Sequence, residues 1–360
     1  MLRITKRDEL PQVARVAIRI GAVVLALLFS ALLIMALDLS PLEVYGALVD
    51  GAFGTAYRVR ETIIKGIPLI ITSLGMCIAF RMRFWNIGGE GQITMGAFAA
   101  SFVALQFPDM PRIVLLPLMM VAGIIGGGLW AIIPAFFRAR WRTNETIVTL
   151  MMNYIAIKWI TYLQYGPWKD PNALGFPKIP NFTTNAILPK VGGVHIGWII
   201  TLVLVVLVHI FLTRTKKGYE IAVLGESENT ALYAGINIKK TIISTIFISG
   251  AICGLTGMIQ ASAVSNTLTF GIAGGVGFTA IITTWLAALK APLVMVVSIL
   301  FAGLIQGGSY IQTAFGISQA AAEMLQGMIL FFVLGSEFFT RYKIHWTKPV
   351  AHHNNKEAEL

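Results

Sequence analysis

Charge is what this sequence has least of: Asp, Glu, Lys and Arg make up 12% of its 360 residues, about half the share found in a soluble domain. Hydrophobic residues make up 56% and the mean hydropathy is +0.75, more apolar surface than a water-soluble fold of this length can hide. Cysteine is scarce too. Cys77 and Cys253 both fall inside apolar runs, where they act as small hydrophobes, so no disulfide framework is expected. The five histidines are scattered, and His352 and His353 sit in a polar stretch; no metal site and no cofactor is expected. No G-x-x-x-x-G-K-[ST] occurs, which excludes the phosphate-cradling loop of a nucleotide hydrolase. No H-E-x-x-H, Ser/His/Asp set or carboxylate pair stands out, which argues against an enzyme.

What is present is a series of apolar runs long enough to cross a bilayer, for which a helix needs about 20 residues. In hydrocarbon every backbone group must be satisfied within the protein, and the barrel's alternating pattern is missing, so the expected fold is an all-α polytopic membrane protein. About ten transmembrane segments are expected: 17–37, 61–80, 93–107, 113–137, 144–165, 196–213, 241–263, 275–289, 291–312 and 319–339. The run from Ala17 to Leu37 is too long for a cleaved signal and is followed by Asp38-Leu39-Ser40-Pro41, so it reads as the first span. With the N-terminus inside, twenty basic residues fall on inner segments and six on outer ones, as the positive-inside rule requires. That bias accounts for the formal net charge of +11 and removes it as a reason to expect nucleic-acid binding. Residues 1–340 read as one transmembrane domain with a cytoplasmic loop over 214–240, and 341–360 as a polar cytoplasmic tail.

Two of the ten segments, 93–107 and 275–289, are short, and each follows a glycine cluster. Gly88-Gly89-Glu90-Gly91 precedes the first and Gly274-Gly275-Val276-Gly277 the second. The alternating topology enters the first cluster from inside and the second from outside, which suggests an inverted repeat with broken helices on a transport pathway. Glycines as packing residues are the plainer alternative. Glu90 costs roughly 3 kcal/mol to place at the bilayer centre without a partner or a wet cavity. Two partners are open to it: a polar ligand or neighbouring helix met at the glycine break, or Arg81 or Arg83 at the interface.

Polar residues recur at helical spacing in several apolar segments. One segment carries Thr146, Thr149 and Asn153 together with Tyr154, Lys158, Thr161 and Tyr165; others carry Ser249, Cys253, Thr256 and Gln260, then Gln306, Tyr310 and Thr313, then Gln319, Glu323 and Gln326. A single row serves interhelical hydrogen bonding, whereas several in one chain point to a shared polar cavity. The expected pathway residues are Asn86, Glu90, Gln92, Asn153, Tyr154, Gln260, Thr279, Trp285, Gln306 and Glu323, with Tyr154 and Trp285 adding aromatic faces. In the long inner loop, Ser227 or Asn229 can cap a short helix that ends at Gly235. Such a helix suits docking into another protein's groove; a plain surface connector is the alternative.

Three stretches together resemble one family. Phe84-Trp85-Asn86-Ile87-Gly88-Gly89-Glu90-Gly91-Gln92-Ile93-Thr94-Met95-Gly96-Ala97, Thr143-Asn144-Glu145-Thr146-Ile147-Val148-Thr149-Leu150-Met151-Met152-Asn153-Tyr154-Ile155-Ala156 and Gly225-Glu226-Ser227-Glu228-Asn229-Thr230-Ala231-Leu232-Tyr233-Ala234-Gly235-Ile236 are similar to signatures of the integral-membrane permeases of bacterial ABC importers for branched-chain amino acids, simple sugars and nucleosides, in the nucleoside and simple-sugar branch. Glu228 departs from the proline common in that family, and the stretch Gly277 to Trp285 is more polar and aromatic than usual. The resemblance implies a multi-pass permease of the bacterial cytoplasmic membrane with both termini inside. It also implies three partners: a cytoplasmic ABC ATPase, a second permease subunit, identical or homologous, and an extracytoplasmic substrate-binding protein or lipoprotein. The ATPase contact it implies runs through Gly218, Glu220, Gly225, Glu226, Asn229, Ala231 and Gly235. A secondary transporter driven by an ion gradient, with Glu90, Glu323 and Lys158 as ion or proton sites, is the competing reading.

Overall fold

Hydrocarbon leaves a backbone no water to bond to, and this chain answers with helices. The computed structural model describes residues 2–6 and 11–346. Its helices are α1 (Gln12–Ala36), α2 (Pro41–Phe53), α3 (Ala56–Arg81), α4 (Gly89–Gln106), α5 (Arg112–Trp141), α6 (Glu145–Tyr165), α7 (Gly197–Arg214), α8 (Lys216–Glu226), α9 (Glu228–Tyr233), α10 (Ile238–Ile259), α11 (Val276–Leu286), α12 (Ala291–Phe315) and α13 (Gln319–Arg341). Strand β1 (Leu2–Lys6) pairs antiparallel with β4 (Tyr342–Trp346), and β2 (Lys190–Val191) with β3 (Val194–His195). Of the expected tail, 342–346 belong to β4; residues 347–360, with His352 and His353, lie outside the described residues. Helix starts follow side-chain capping: Thr55, Asn144, Thr215, Ser227, Asn237 and Ser318 each accept a first-turn N–H.

The polytopic all-α class holds, but the count of ten spans does not carry over. Among the described residues seven helices are long and apolar enough to cross a membrane: α3, α5, α6, α7, α10 with its extension to Ser265, α12 and α13. An eighth arises if α1 from Ile20 and α2 form one broken span, bent by 110° where Asp38 adopts φ 57°. The expected segments 93–107 and 275–289 became α4 and α11, which are not among the seven. The physical reason is plain: α4 begins with Glu90, Gln92 and Thr94, and the 11 residues of α11 reach roughly 17 Å, half a bilayer core.

The described chain divides into two compact units, one of residues up to 47 and from 311, the other Leu48–Tyr310. In the first, α1 lies along α13, with the Phe29 and Phe332 rings 4.9 Å apart. In the second, α10 is the buried axis, flanked by α3, α4 and α5. Small residues allow that contact. Gly123 and Gly127 of α5 face Gly250 and Gly254 of α10, and a Cβ at Gly254 would overlap the Gly123 carbonyl and come within 2.8 Å of Gly127 Cα. Without a hydrophobic driving force between helices, such close backbone packing is what holds them together in lipid. Pro68, Pro117 and Pro134 sit inside α3 and α5, as membrane helices tolerate.

Candidate functional site

The two glycine clusters meet. Gly88 caps α4 and Gly275, at φ 80°, caps α11, so each helix presents first-turn N–H groups without intrahelical partners. Glu90, in the first turn of α4, spans the gap: its Oε1 accepts the Gly275 N–H at 2.7 Å and its Oε2 the Gly277 N–H at 2.8 Å. One buried carboxylate thus closes the positive end of α11. Gly277 is required because a Cβ there would overlap the Glu90 backbone and lie 2.8 Å from Glu90 Oε2. Arg83 instead pairs with Glu226 at 3.3 Å.

Around this contact lies a knot of buried amides. The Asn86 and Gln92 side chains exchange two bonds, at 3.2 and 3.1 Å, while Asn86 Oδ1 also accepts the Gly88 N–H. Asn153 of α6 accepts the Gly91 N–H at 2.8 Å and donates to the Ile87 carbonyl at 2.9 Å. Thr149, one turn earlier, accepts the Ile87 N–H. Ser249 of α10 receives Asn86 Nδ2 and donates to the Gly75 carbonyl of α3 at 2.7 Å. The helix break frees backbone groups and the amides take them up, so five helices share one node.

Asn86, Glu90, Gln92 and Asn153 are therefore brought together, each buried with its polar atoms bonded. Tyr154, next to Asn153, points out of the chain, 59% exposed. Gln260 opens the π-helical stretch after α10 and is half-buried. Thr279, half-buried on α11, donates to the Gly275 carbonyl. Trp285 stacks on Phe80 and Trp85, with centroids 5.6 and 5.4 Å away. Gln306 is half-buried on α12. Glu323 is exposed in the smaller unit and accepts from Gln319 Nε2 at 2.6 Å.

The 214–240 loop is two helices. Thr215 caps α8, and Ser227 accepts the Thr230 N–H to start α9; the turn ends at Gly235 with φ 70°. Gly218 and Gly225 permit close approach: a Cβ on the first would overlap the Phe211 carbonyl, and on the second the Arg81 carbonyl at the end of α3. Ala231 is fully buried and Asn229 exposed. Glu220 bonds Lys217, which also donates to Thr241 of α10. Glu226 holds Arg83, and Glu228 sits 3.9 and 3.8 Å from Arg138 and Arg142 at the end of α5. Tyr219, Leu232 and Tyr233 project outward, Tyr233 at 94% exposure.

Sequence reasoning passed over several members. Ser73 bonds Thr283 at 2.6 Å and its carbonyl accepts from Thr284 at 3.0 Å, fastening α11 along α3; the hydroxyls at 283 and 284 were the available signal. Glu145 accepts the Trp85 N–H and pairs with Arg138 at 3.5 Å. Phe80 and Trp85 complete an aromatic stack for which no spacing in the sequence is diagnostic.

Residues 59–334 match the family described as branched-chain amino acid transport system / permease component. The chain is 30% identical over 356 residues to the glucose ABC transporter permease protein TsgB13 of Haloferax volcanii, covering 95% of this chain and 93% of the other. It is 31% identical to the guanosine ABC transporter permease protein NupP of Bacillus subtilis, over 88% of this chain and 92% of that one. A third relative, the nucleoside ABC transporter permease protein NupB of Lactococcus lactis, is 28% identical, with 89% and 90% covered.

Proposed function

Because the chain belongs to the branched-chain amino acid transport system / permease component family, we propose that it forms the translocation path of an ABC importer for a nucleoside or simple sugar. The observation that carries this reading is the match along nearly the whole chain to permeases named for glucose, guanosine and nucleosides. The chain is a transport component, and ATP is hydrolysed by a partner ATPase docked on α8 and α9. The exposed Tyr219, Leu232 and Tyr233 offer that partner an apolar surface. Residues 1–340 serve as one permease domain in the bacterial inner membrane, with the α8–α9 side and both termini in the cytoplasm. A second permease subunit completes the path, and an extracytoplasmic binding protein delivers solute.

In this mechanism the ATPase pushes on α8 and α9. Gly225 transmits the push to the end of α3, Glu228 to the end of α5, and Lys217 to α10. These helices rock about the node at Glu90, opening a polar passage alternately to each side. Gln260, Thr279 and Gln306, half-buried and outside the node, face solute, and the node residues Asn86, Gln92 and Asn153 shape its wall. The test is to delete 218–236 and co-express the result with the ATPase. A membrane-inserted protein that neither retains nor stimulates the ATPase is expected, with uptake of labelled guanosine and glucose abolished; undiminished co-purification and ATPase stimulation refutes the docking site. Uptake that survives removal of the ATPase and collapses with an uncoupler refutes the importer reading.

A further inference from the structure

A cavity of about 380 Å³ opens between the ends of α3, α7 and α12, lined by Arg81, by His209, Leu212 and Thr213, and by residues 289–293. It holds two cations, Arg81 and Lys290, and no carboxylate; neither cation is in an ion pair among those formed by the described residues. The first turn of α12 adds to the positive potential. Its first intrahelical bond comes from Val294 to the Lys290 carbonyl, which leaves the N–H groups of Ala291 and Leu293 beside the cavity without helical partners. Apart from His209 and Thr213, the remaining lining is apolar.

Two stripes lead away from this basic end. On α7, Leu202, Val206, His209 and Thr213 recur at intervals of four, three and four, all exposed, and turn from apolar to polar as they reach the cavity. On α12, Leu293, Val296 and Leu300 recur at intervals of three and four and are 45%, 50% and 61% exposed. Two apolar tracks that converge on paired cations have the profile of a two-chain lipid. A second copy of this chain fits worse, because Arg81 and Lys290 would face their own equivalents across a two-fold axis. We propose that the cavity holds the phosphate of an anionic phospholipid between Arg81 and Lys290, with its acyl chains along the α7 and α12 stripes. Assigning this end to the cytoplasmic leaflet rests on the functional reading above, whereas the lipid contact itself does not.

The test titrates the purified full chain with dioleoylphosphatidylglycerol and dioleoylphosphatidylcholine and counts bound lipid by native mass spectrometry, a readout that needs no transport. Phosphatidylglycerol is expected to be preferred. The double variant Arg81→Gln/Lys290→Gln is expected to lose roughly twenty-five-fold in phosphatidylglycerol binding, about fivefold per basic side chain facing an anionic headgroup. The control Lys216→Gln/Lys239→Gln, which changes basic residues outside the cavity, is expected to bind as the wild type does. If the double variant fails to fold, Lys290→Gln alone, at an exposed position, should still lose about fivefold; unchanged binding there overturns the proposal. Equal binding of the two lipids, or an equal loss in the control, also overturns it. So does displacement by inorganic phosphate, which identifies a soluble-anion site, or disulfide dimerisation of Val296→Cys in phosphatidylglycerol vesicles, which identifies a subunit interface.

Discussion

At the glycine breaks, α4 and α11 are joined by one carboxylate on two backbone N–H groups, inside a shell of amides with no water-facing member. At the 214–240 loop, α8 and α9 are joined to α3 and α5 by Glu226 and Glu228, whose ion pairs span 3.3 to 3.9 Å and stand in the open. Bonds of the first kind are hard to exchange, since each broken one leaves a buried polar group unmet. Bonds of the second kind are worth little and fade in salt. The drive proposed above, from the α8–α9 end, is served by that arrangement: a stiff, buried pivot at Glu90 and a handle that can be released and regrasped.

The strongest attempt to break this contrast is Gly254→Leu, on the helix beside the pivot. Its side chain has to displace the Gly123 and Gly127 backbones, at a cost of about 3 kcal/mol or more. Cys77 and Cys253 are both buried, so a thiol-reactive dye reports unfolding; an unchanged thermal midpoint would mean that the platform under the pivot is loose. Next comes His195, which lies in neither region. Burial, and then Lys190, hold its imidazole down to about 4 from an ordinary 6.5. The unfolded chain therefore takes the proton first as pH falls. Stability should be intact above pH 6.5 and drop by on the order of 3 kcal/mol on the way down to pH 4. Comparing midpoints across that range with His195→Leu, which should flatten the slope, separates this acid sensitivity from any at Glu90.

Glu90→Gln tests the pivot directly. The amide oxygen can accept one N–H, while its NH₂ confronts the other, so a loss of about 2 kcal/mol is expected, read as a lower midpoint at neutral pH in low and high salt alike. Glu228→Gln should give the smallest effect: under about 1 kcal/mol, with the difference from wild type disappearing as salt is raised. A salt-sensitive Glu90→Gln or a salt-insensitive Glu228→Gln would reverse the assignment of stiff and soft.

Long spans were legible because apolar length is nearly sufficient to specify a helix in lipid, and the start of α9 at Ser227 followed from capping chemistry. The matching glycine clusters were legible as a repeat of spacing. Their meeting was not, since the donors are backbone N–H groups that no residue letter encodes. The helix α2 was missed because Asp38 to Pro41 reads as a stop; Pro41 in fact occupies the first position of a new helix, where its missing N–H costs nothing. Likewise α8 escaped notice, because its buried face of Ile221, Leu224 and Gly225 is too short to give a periodic signal. Asn153 and Tyr154 had equal standing in the sequence, and the helix turned one into the node and the other away from it.

The ring stack at the end of α3 has an optical consequence. Trp85 is half in the open while Trp285 rides on α11, its face 5.4 Å from Trp85 and 5.6 Å from Phe80. Two indoles this close couple their excited states, so any slide of α11 along α3 alters the near-ultraviolet dichroism of the pair. The protein carries an intrinsic chromophore dimer across the contact that Ser73, Thr283 and Thr284 fasten. Loosening of that contact, as in Ser73→Ala, should be visible in unlabelled protein, and Trp85→Phe should erase the signal.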